Sequence, residues 1–133
     1  MFIKKDNLTT VESVIHRNTG IAAEDFVVPV RFPYLKNLKE AVQLLKDNAG
    51  KVVHIIGDYD SDGINATTIM CLAIKKYGFQ VTTRLPKRFS EGYGLSEKII
   101  DEISDGVVLT VDNGIAAISA IQKAKDKGLV VIV

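Results

Sequence analysis

The sequence predicts an α/β fold, a parallel β-sheet with helices on both faces, preceded by a helical lead-in. Three observations carry this expectation. Short β-branched apolar runs alternate with stretches of helical length, glycines punctuate the junctions, and the resulting order is βαβαβαβ. Such an order, with right-handed crossovers, gives a parallel sheet covered on both sides. The 133 residues suit one compact domain, and 47% apolar with 25% charged residues excludes a disordered tail.

Residues 1–50 read as the lead-in and 51–133 as the α/β part. Leu35, Leu38, Val42, Leu45 and Ala49 recur at steps of three and four, a helical stripe that Gly50 terminates. Lys51 to Gly57 holds the apolar β-branched run of a strand buried on both faces. Ile64 to Tyr77 has helical length and stops at Gly78; Phe79 to Leu85 follows as a second strand. A polar, glycine-containing loop runs from Pro86 to Leu95, and Ser96 is placed to cap a helix carrying Ile99, Ile100 and Ile103. Val107 to Val111 is the third strand. A helix from about Ile115 to Lys127, with Ile115, Ile118, Ile121 and Ala124 on one face, leads through Gly128 to a fourth strand, Leu129 to Val133.

Charge and cysteine content narrow the function classes. Seventeen basic against 16 acidic residues leave a net charge of +1, which excludes binding through a large uniform positive field. One cysteine cannot form an internal disulfide, in keeping with a reducing compartment. The longest apolar run is the six residues Ile69 to Ile74, far short of a membrane span. The N-terminus lacks an apolar export signal, so a cytoplasmic location is the expectation.

In parallel sheets, ligands bind at the carboxyl ends of strands, so the loops there carry the chemistry. After the first strand, Asp58, Asp60 and Asp62 alternate before Gly63. Carboxylates this close repel, and at least one is expected to have a raised pKa unless a cation intervenes. An all-oxygen set favours a hard ion such as Mg²⁺ or Mn²⁺. An EF-hand calcium loop fits poorly, because Ile69 stands where its bidentate Glu belongs; simple helix capping needs only one carboxylate. After the third strand, Asp112-Asn113-Gly114 offers another carboxylate, which either caps a helix or faces Asp60 and Asp62 if the two strands are neighbours. Lys75, Lys76, Arg84, Lys87 and Arg88 form a basic strip ahead of Phe89-Ser90-Glu91-Gly92-Tyr93-Gly94. Lys75 and Lys76 read as a solvated helix end, whereas Arg88 is placed for phosphate oxygens and Phe89 or Tyr93 for stacking on a base or sugar. Cys71 reads as a small core residue, and His16 and His54 lack ligand spacing.

These stretches together resemble the RecJ branch of the DHH phosphoesterases. Gly57-Asp58-Tyr59-Asp60-Ser61-Asp62-Gly63, Leu85-Pro86-Lys87-Arg88-Phe89-Ser90-Glu91-Gly92-Tyr93-Gly94-Leu95-Ser96 and Leu109-Thr110-Val111-Asp112-Asn113-Gly114-Ile115 look like three successive motifs of that branch. The lead-in Glu24 to Pro29 and the Leu38 to Ala49 stretch are also similar. The resemblance implies a two-metal, Mn²⁺- or Mg²⁺-dependent phosphodiesterase removing nucleotides from the 5′ end of single-stranded DNA, with a place in DNA repair and recombination. Asp60, Asp62 and Asp112 match its metal-binding positions. Asp58 matches an acidic position in the catalytic set, expected to stand behind the ligands. Lys87, Arg88, Gly92, Tyr93, Gly94 and Asn113 match its substrate side. Paired cations would activate a water and stabilise the leaving oxygen during in-line attack on phosphorus. In the family, a strand like Leu129 to Val133 runs into the Asp-His-His motif. The expectation is therefore an N-terminal piece, poorly active alone. Three other readings stay open: a small-nucleotide phosphatase or pyrophosphatase of the same superfamily, a receiver-like signalling module, and a non-catalytic interaction fragment.

Overall fold

The computed structural model describes residues 11–20, 22 and 35–133. The chain divides into two compact units, Met1–Lys36 and Asn37–Val133. The described part of the first contains helix α1 (Val11–Thr19); the Glu24 to Pro29 stretch lies outside the described residues.

The second unit holds helix α2 (Leu38–Asp47), strand β1 (Val53–Ile56), helix α3 (Ser61–Lys76), strand β2 (Val81–Arg84), helix α4 (Glu97–Asp101), strand β3 (Val107–Thr110), helix α5 (Ile118–Asp126) and strand β4 (Val130–Ile132). The four strands form one sheet in the order β2-β1-β3-β4, every pair parallel. From β1 the chain steps one way to β2, and from β2 through β3 to β4 it steps the other way. Right-handed crossovers then require α3 on one face and α4 with α5 on the opposite face. The packing agrees: Ile74 of α3 meets Val53, Ile55, Val107 and Leu109, whereas Ile99, Ile100, Ala120 and Ala124 meet Ile56 and Val108. Residues 53 to 56 and 107 to 110 thus alternate between two cores, which is why both strands read as unbroken apolar runs. Each fully buried Ile or Val contributes roughly 1.5–3 kcal/mol relative to exposure.

Several helix boundaries and faces differ from the periodicity. Helix α3 begins at Ser61, three residues earlier than expected, because Asp60 accepts a hydrogen bond from the Gly63 N–H as N-cap. Its apolar run wraps the whole helix, so Met70, Cys71 and Ile74 pack inward while Ile69 and Leu72 stay exposed. Helix α5 begins three residues late: Gly114 to Ala117 form a turn closed by Ala117 N–H to Gly114 C=O at 2.8 Å. Ile115 and Ile118 therefore point outward, and the buried face is Ala120 and Ala124 with Ile121 at its margin. Small side chains there let α5 approach the sheet closely, at the expense of the larger residues the apolar pattern favours. In α2, Leu45 is half-buried against the α3-side core, while Leu38 and Val42 remain exposed. His54 is held between the Thr82 hydroxyl at 2.8 Å and the Asp105 carbonyl at 3.0 Å.

Candidate metal centre

The reversal of strand order places a crevice between the carboxyl ends of β1 and β3, which are adjacent in register through Ile56 and Thr110. The loops leaving these two strands carry the aspartates. One carboxylate oxygen each from Asp58, Asp60 and Asp112 lies within 4.8 Å of the others. Asp62, the second residue of α3, is exposed and stands outside this group, though it hydrogen-bonds and repels Asp60.

The three acids are held in different ways. Asp58 is fully buried; its Oδ1 accepts the Tyr59 N–H at 2.8 Å, and its Oδ2 has no hydrogen-bond partner. Gly63 makes that burial possible, since a Cβ there would come within 2.7 Å of the Asp58 backbone and side chain. Its role is close approach of backbone to the buried carboxylate. At Asp60 the Gly63 N–H draws the carboxyl pKa down, but desolvation and the neighbouring Asp62 and Asp58 carboxylates outweigh it, so the group sits above its ordinary value. Asp112 adopts a left-handed conformation with φ 59°, a strained choice tolerated best by Asp, Asn and Gly. Its carbonyl accepts the Tyr93 hydroxyl at 3.1 Å.

A buried, unpartnered carboxylate oxygen beside two further carboxylates is costly as it stands, and a hard divalent cation supplies the missing partner. The donor set is all oxygen, which suits Mg²⁺ or Mn²⁺. The residues present therefore fit such an ion.

The loop after β2 closes over this site. Arg88 lies over the Tyr59 ring, 5.4 Å from its centroid, and the Tyr93 ring meets Tyr59 edge-on at 6.3 Å. Desolvation and then the charges of Asp58, Asp112, Asp60 and Asp62 hold the Tyr93 hydroxyl above its ordinary pKa, so it remains a donor. Gly94 is packed against Asn113, where a Cβ would approach to 2.9 Å. The Asn113 amide is spent on the backbone: it donates to the Ile56 and Val111 carbonyls and accepts the Leu95 N–H. Asn113 thus ties the ends of β1 and β3 to the loop after β2. Gly92 and Lys87 sit on the exposed side of that loop, and Phe89 is fully exposed.

The basic strip is less uniform than its spacing suggests. Arg84 is saturated by Glu91, Glu102 and the Leu85 carbonyl, so it is not available to a phosphate. Lys75 and Lys76 occupy the last turn of α3, which runs back to the start of β2 and ends at the opposite edge of the sheet. Tyr59 and Glu91 are the residues that sequence reasoning passed over. Tyr59 was legible as the residue between two aspartates, whereas nothing in the spacing pairs Glu91 with Arg84.

Residues 52–133 match the model of the DHH family, N-terminal domain. The single-stranded-DNA-specific exonuclease RecJ of Bacillus subtilis (strain 168) is 38% identical over 104 residues, 74% of this chain and 13% of that protein. RecJ of Thermus thermophilus is 35% identical over 114 residues, covering 83% of this chain and 17% of that protein. RecJ of Escherichia coli (strain K12) is 32% identical over 105 residues, 74% and 18% of the two chains. The chain therefore spans less than a fifth of these relatives. The sheet order and paired strand ends alone would also fit a receiver-like module; the family match separates the two. With residues 52–133 matching the family model and RecJ proteins 32–38% identical to it, the chain belongs to the DHH family in RecJ-like form.

Proposed function

We propose that this domain is the cation-holding part of a phosphodiesterase that removes nucleotides from the 5′ end of single-stranded DNA. The observation that carries the reading is the convergence of Asp58, Asp60 and Asp112 from two neighbouring strand ends, with one buried Asp58 oxygen unpartnered. Asp58, Asp60 and Asp112 would hold a Mn²⁺ or Mg²⁺ ion, with Asp62 close enough to join through a second ion or a bridging water. When bound, such an ion polarises a phosphoryl oxygen and lowers the pKa of a water. Around it, Arg88 binds phosphate oxygens, its guanidinium oriented by Tyr59. Tyr93 holds the Asp112 backbone in its strained form and presents one ring face to the substrate. Lys87 and the Gly92 to Gly94 backbone border the same path, and the exposed Phe89 ring is available for stacking on a base.

Among the described residues no histidine joins the cluster, so they furnish a carboxylate site alone, and turnover by these 133 residues is slow in this reading. The RecJ relatives act on single-stranded DNA by name, which favours this substrate over small nucleotides. A cytoplasmic location fits; among the described residues no helix is long and apolar enough to cross a membrane. Mn²⁺ titration followed by electron paramagnetic resonance, with 5′-labelled single-stranded and duplex DNA assayed in parallel, tests the reading. Binding that is lost in Asp60→Asn, with slow metal-dependent loss of the 5′ label from single strands, is the expected result. No metal binding by the folded chain would overturn it, as would cleavage that persists in Asp60→Asn.

A further inference from the structure

The loop after β2 lays Arg88 over Tyr59, the residue between Asp58 and Asp60, and the course of that loop is fixed by its own packing. The turn 87–91 closes on itself: Ser90 N–H and Glu91 N–H both donate to the Lys87 carbonyl, at 3.0 and 2.8 Å. The Glu91 side chain, only 13% exposed, then uses both oxygens. Oε2 accepts the Lys87 N–H at 2.7 Å, and Oε1 pairs with the Arg84 guanidinium. Arg84 is in turn fixed to the end of β2 through its own backbone, the Leu85 carbonyl and Glu102. One carboxylate thus connects the rigid sheet to the residue immediately before Arg88. Tyr59, on which Arg88 rests, belongs to the loop of the acidic cluster, so both sides of the Arg88–Tyr59 contact are defined by strand ends.

We propose that Glu91 is a positioning residue for the phosphodiesterase site: through Arg84 on one side and the Lys87 N–H on the other, it sets the turn that holds the Arg88 guanidinium against Tyr59. It touches neither substrate nor cation. This inference rests on the proposed function for its consequence, while its geometry can be measured without any substrate. A lone acidic residue within a basic loop would otherwise weaken that loop's pull on a phosphate. Buried against Arg84, its charge is already neutralised, and Lys87 and Arg88 keep theirs.

The test is side-chain NMR on the full chain. The Arg88 guanidinium carbon lies over the Tyr59 ring, 5.4 Å from its centroid, so the Arg88 side-chain protons are expected to carry an upfield ring-current shift, which Tyr59→Leu identifies by abolishing it. Glu91→Ala is expected to remove most of the shift, and Glu91→Gln to retain part of it by preserving the Lys87 N–H bond, while the resonances of β1 and β3 stay in place. Retention of the full shift in Glu91→Ala would overturn the proposal. Should Glu91→Ala fail to fold, Arg84→Gln breaks the same link from the other side, and an unaltered Arg88 shift there would overturn it equally. A second arm titrates a 5′-phosphorylated oligo(dT). Glu91→Ala is expected to weaken its binding by about threefold or more, the scale of one oriented charge contact, with Mn²⁺ affinity unchanged. Oligonucleotide binding that is insensitive to Arg88→Ala sinks the nuclease reading, and the ring-current result still judges Glu91 by itself.

Discussion

At Asp58, residue-scale physics sets stability against binding. Its side chain is completely buried, one oxygen is unpartnered, and two other carboxylates stand within ligand-sharing distance. Asp58→Asn keeps the shape and the acceptor for the Tyr59 N–H but removes a buried charge and its repulsion. The metal-free protein should therefore gain stability, by about 1 kcal/mol, the scale of one like-charge contact at ~4 Å in a water-like medium. Mn²⁺ affinity should fall in the same variant. Thermal melts with and without Mn²⁺ measure both, and a lower metal-free melting temperature in Asp58→Asn contradicts the argument. The alternating aspartates and Asp112 were legible as a candidate cation site because like charges at that spacing need a reason. Which of them meet was not legible: alternation in a loop does not say that Asp60 caps α3 while Asp62 turns to solvent. The amide of Asn113 was equally hidden, since a side chain satisfied by three backbone groups leaves no trace in composition.

Among the elements, the loop after β2 depends on ionised Glu91. Its hydrogen bonds from Arg84 and then from the Lys87 N–H hold the carboxyl below its ordinary value of 4.5. The folded state therefore binds that proton less readily than the unfolded chain. The stabilisation is fully present above pH 4.5 and is lost as pH falls through the lower folded value. Asp101, held low by Lys123, and Asp105, held low by Lys51, titrate in the same sense. Acid unfolding followed by circular dichroism should be less steep below that pH in Glu91→Gln than in the wild type; identical profiles would leave the ion pair without energetic weight. Helix α5 gives a second prediction. Ile118→Ser on its outward face should change stability by less than about 0.5 kcal/mol, whereas Ala124→Leu, which overpacks the inner face, should cost about 1–3 kcal/mol in urea unfolding. The sequence favours the opposite, because apolar periodicity weights isoleucine above alanine. At this helix, closeness to the sheet selects size over hydrophobicity.

For the whole molecule, the four parallel strands and the presence of helices on both faces follow from alternation and handedness, and were legible in the sequence for that reason. The adjacency of β1 and β3 was not, since strand order depends on which crossover reverses direction. That adjacency decides the site, for Asp112 meets Asp58 and Asp60 only when nothing intervenes. A cation that binds the folded state alone stabilises it by mass action, about 2.7 kcal/mol at one hundred times its Kd. Mn²⁺ at that excess should raise the melting temperature by about 10 °C in a domain of this size, and Asp60→Asn should abolish the rise.

Asp60 and Asp112 stand 52 positions apart in the chain, and only the β1–β3 pairing brings them together. The strand between them in sequence, β2, lies on the far side of β1 and contributes no carboxylate to the cluster. Closing so long a loop is slow relative to forming the local β1-α3-β2 unit, which is assembled from nearer neighbours. Cation uptake is then a clock for folding: in stopped-flow refolding with a fluorescent Mn²⁺ indicator, metal capture should lag helix formation and coincide with the docking of β3.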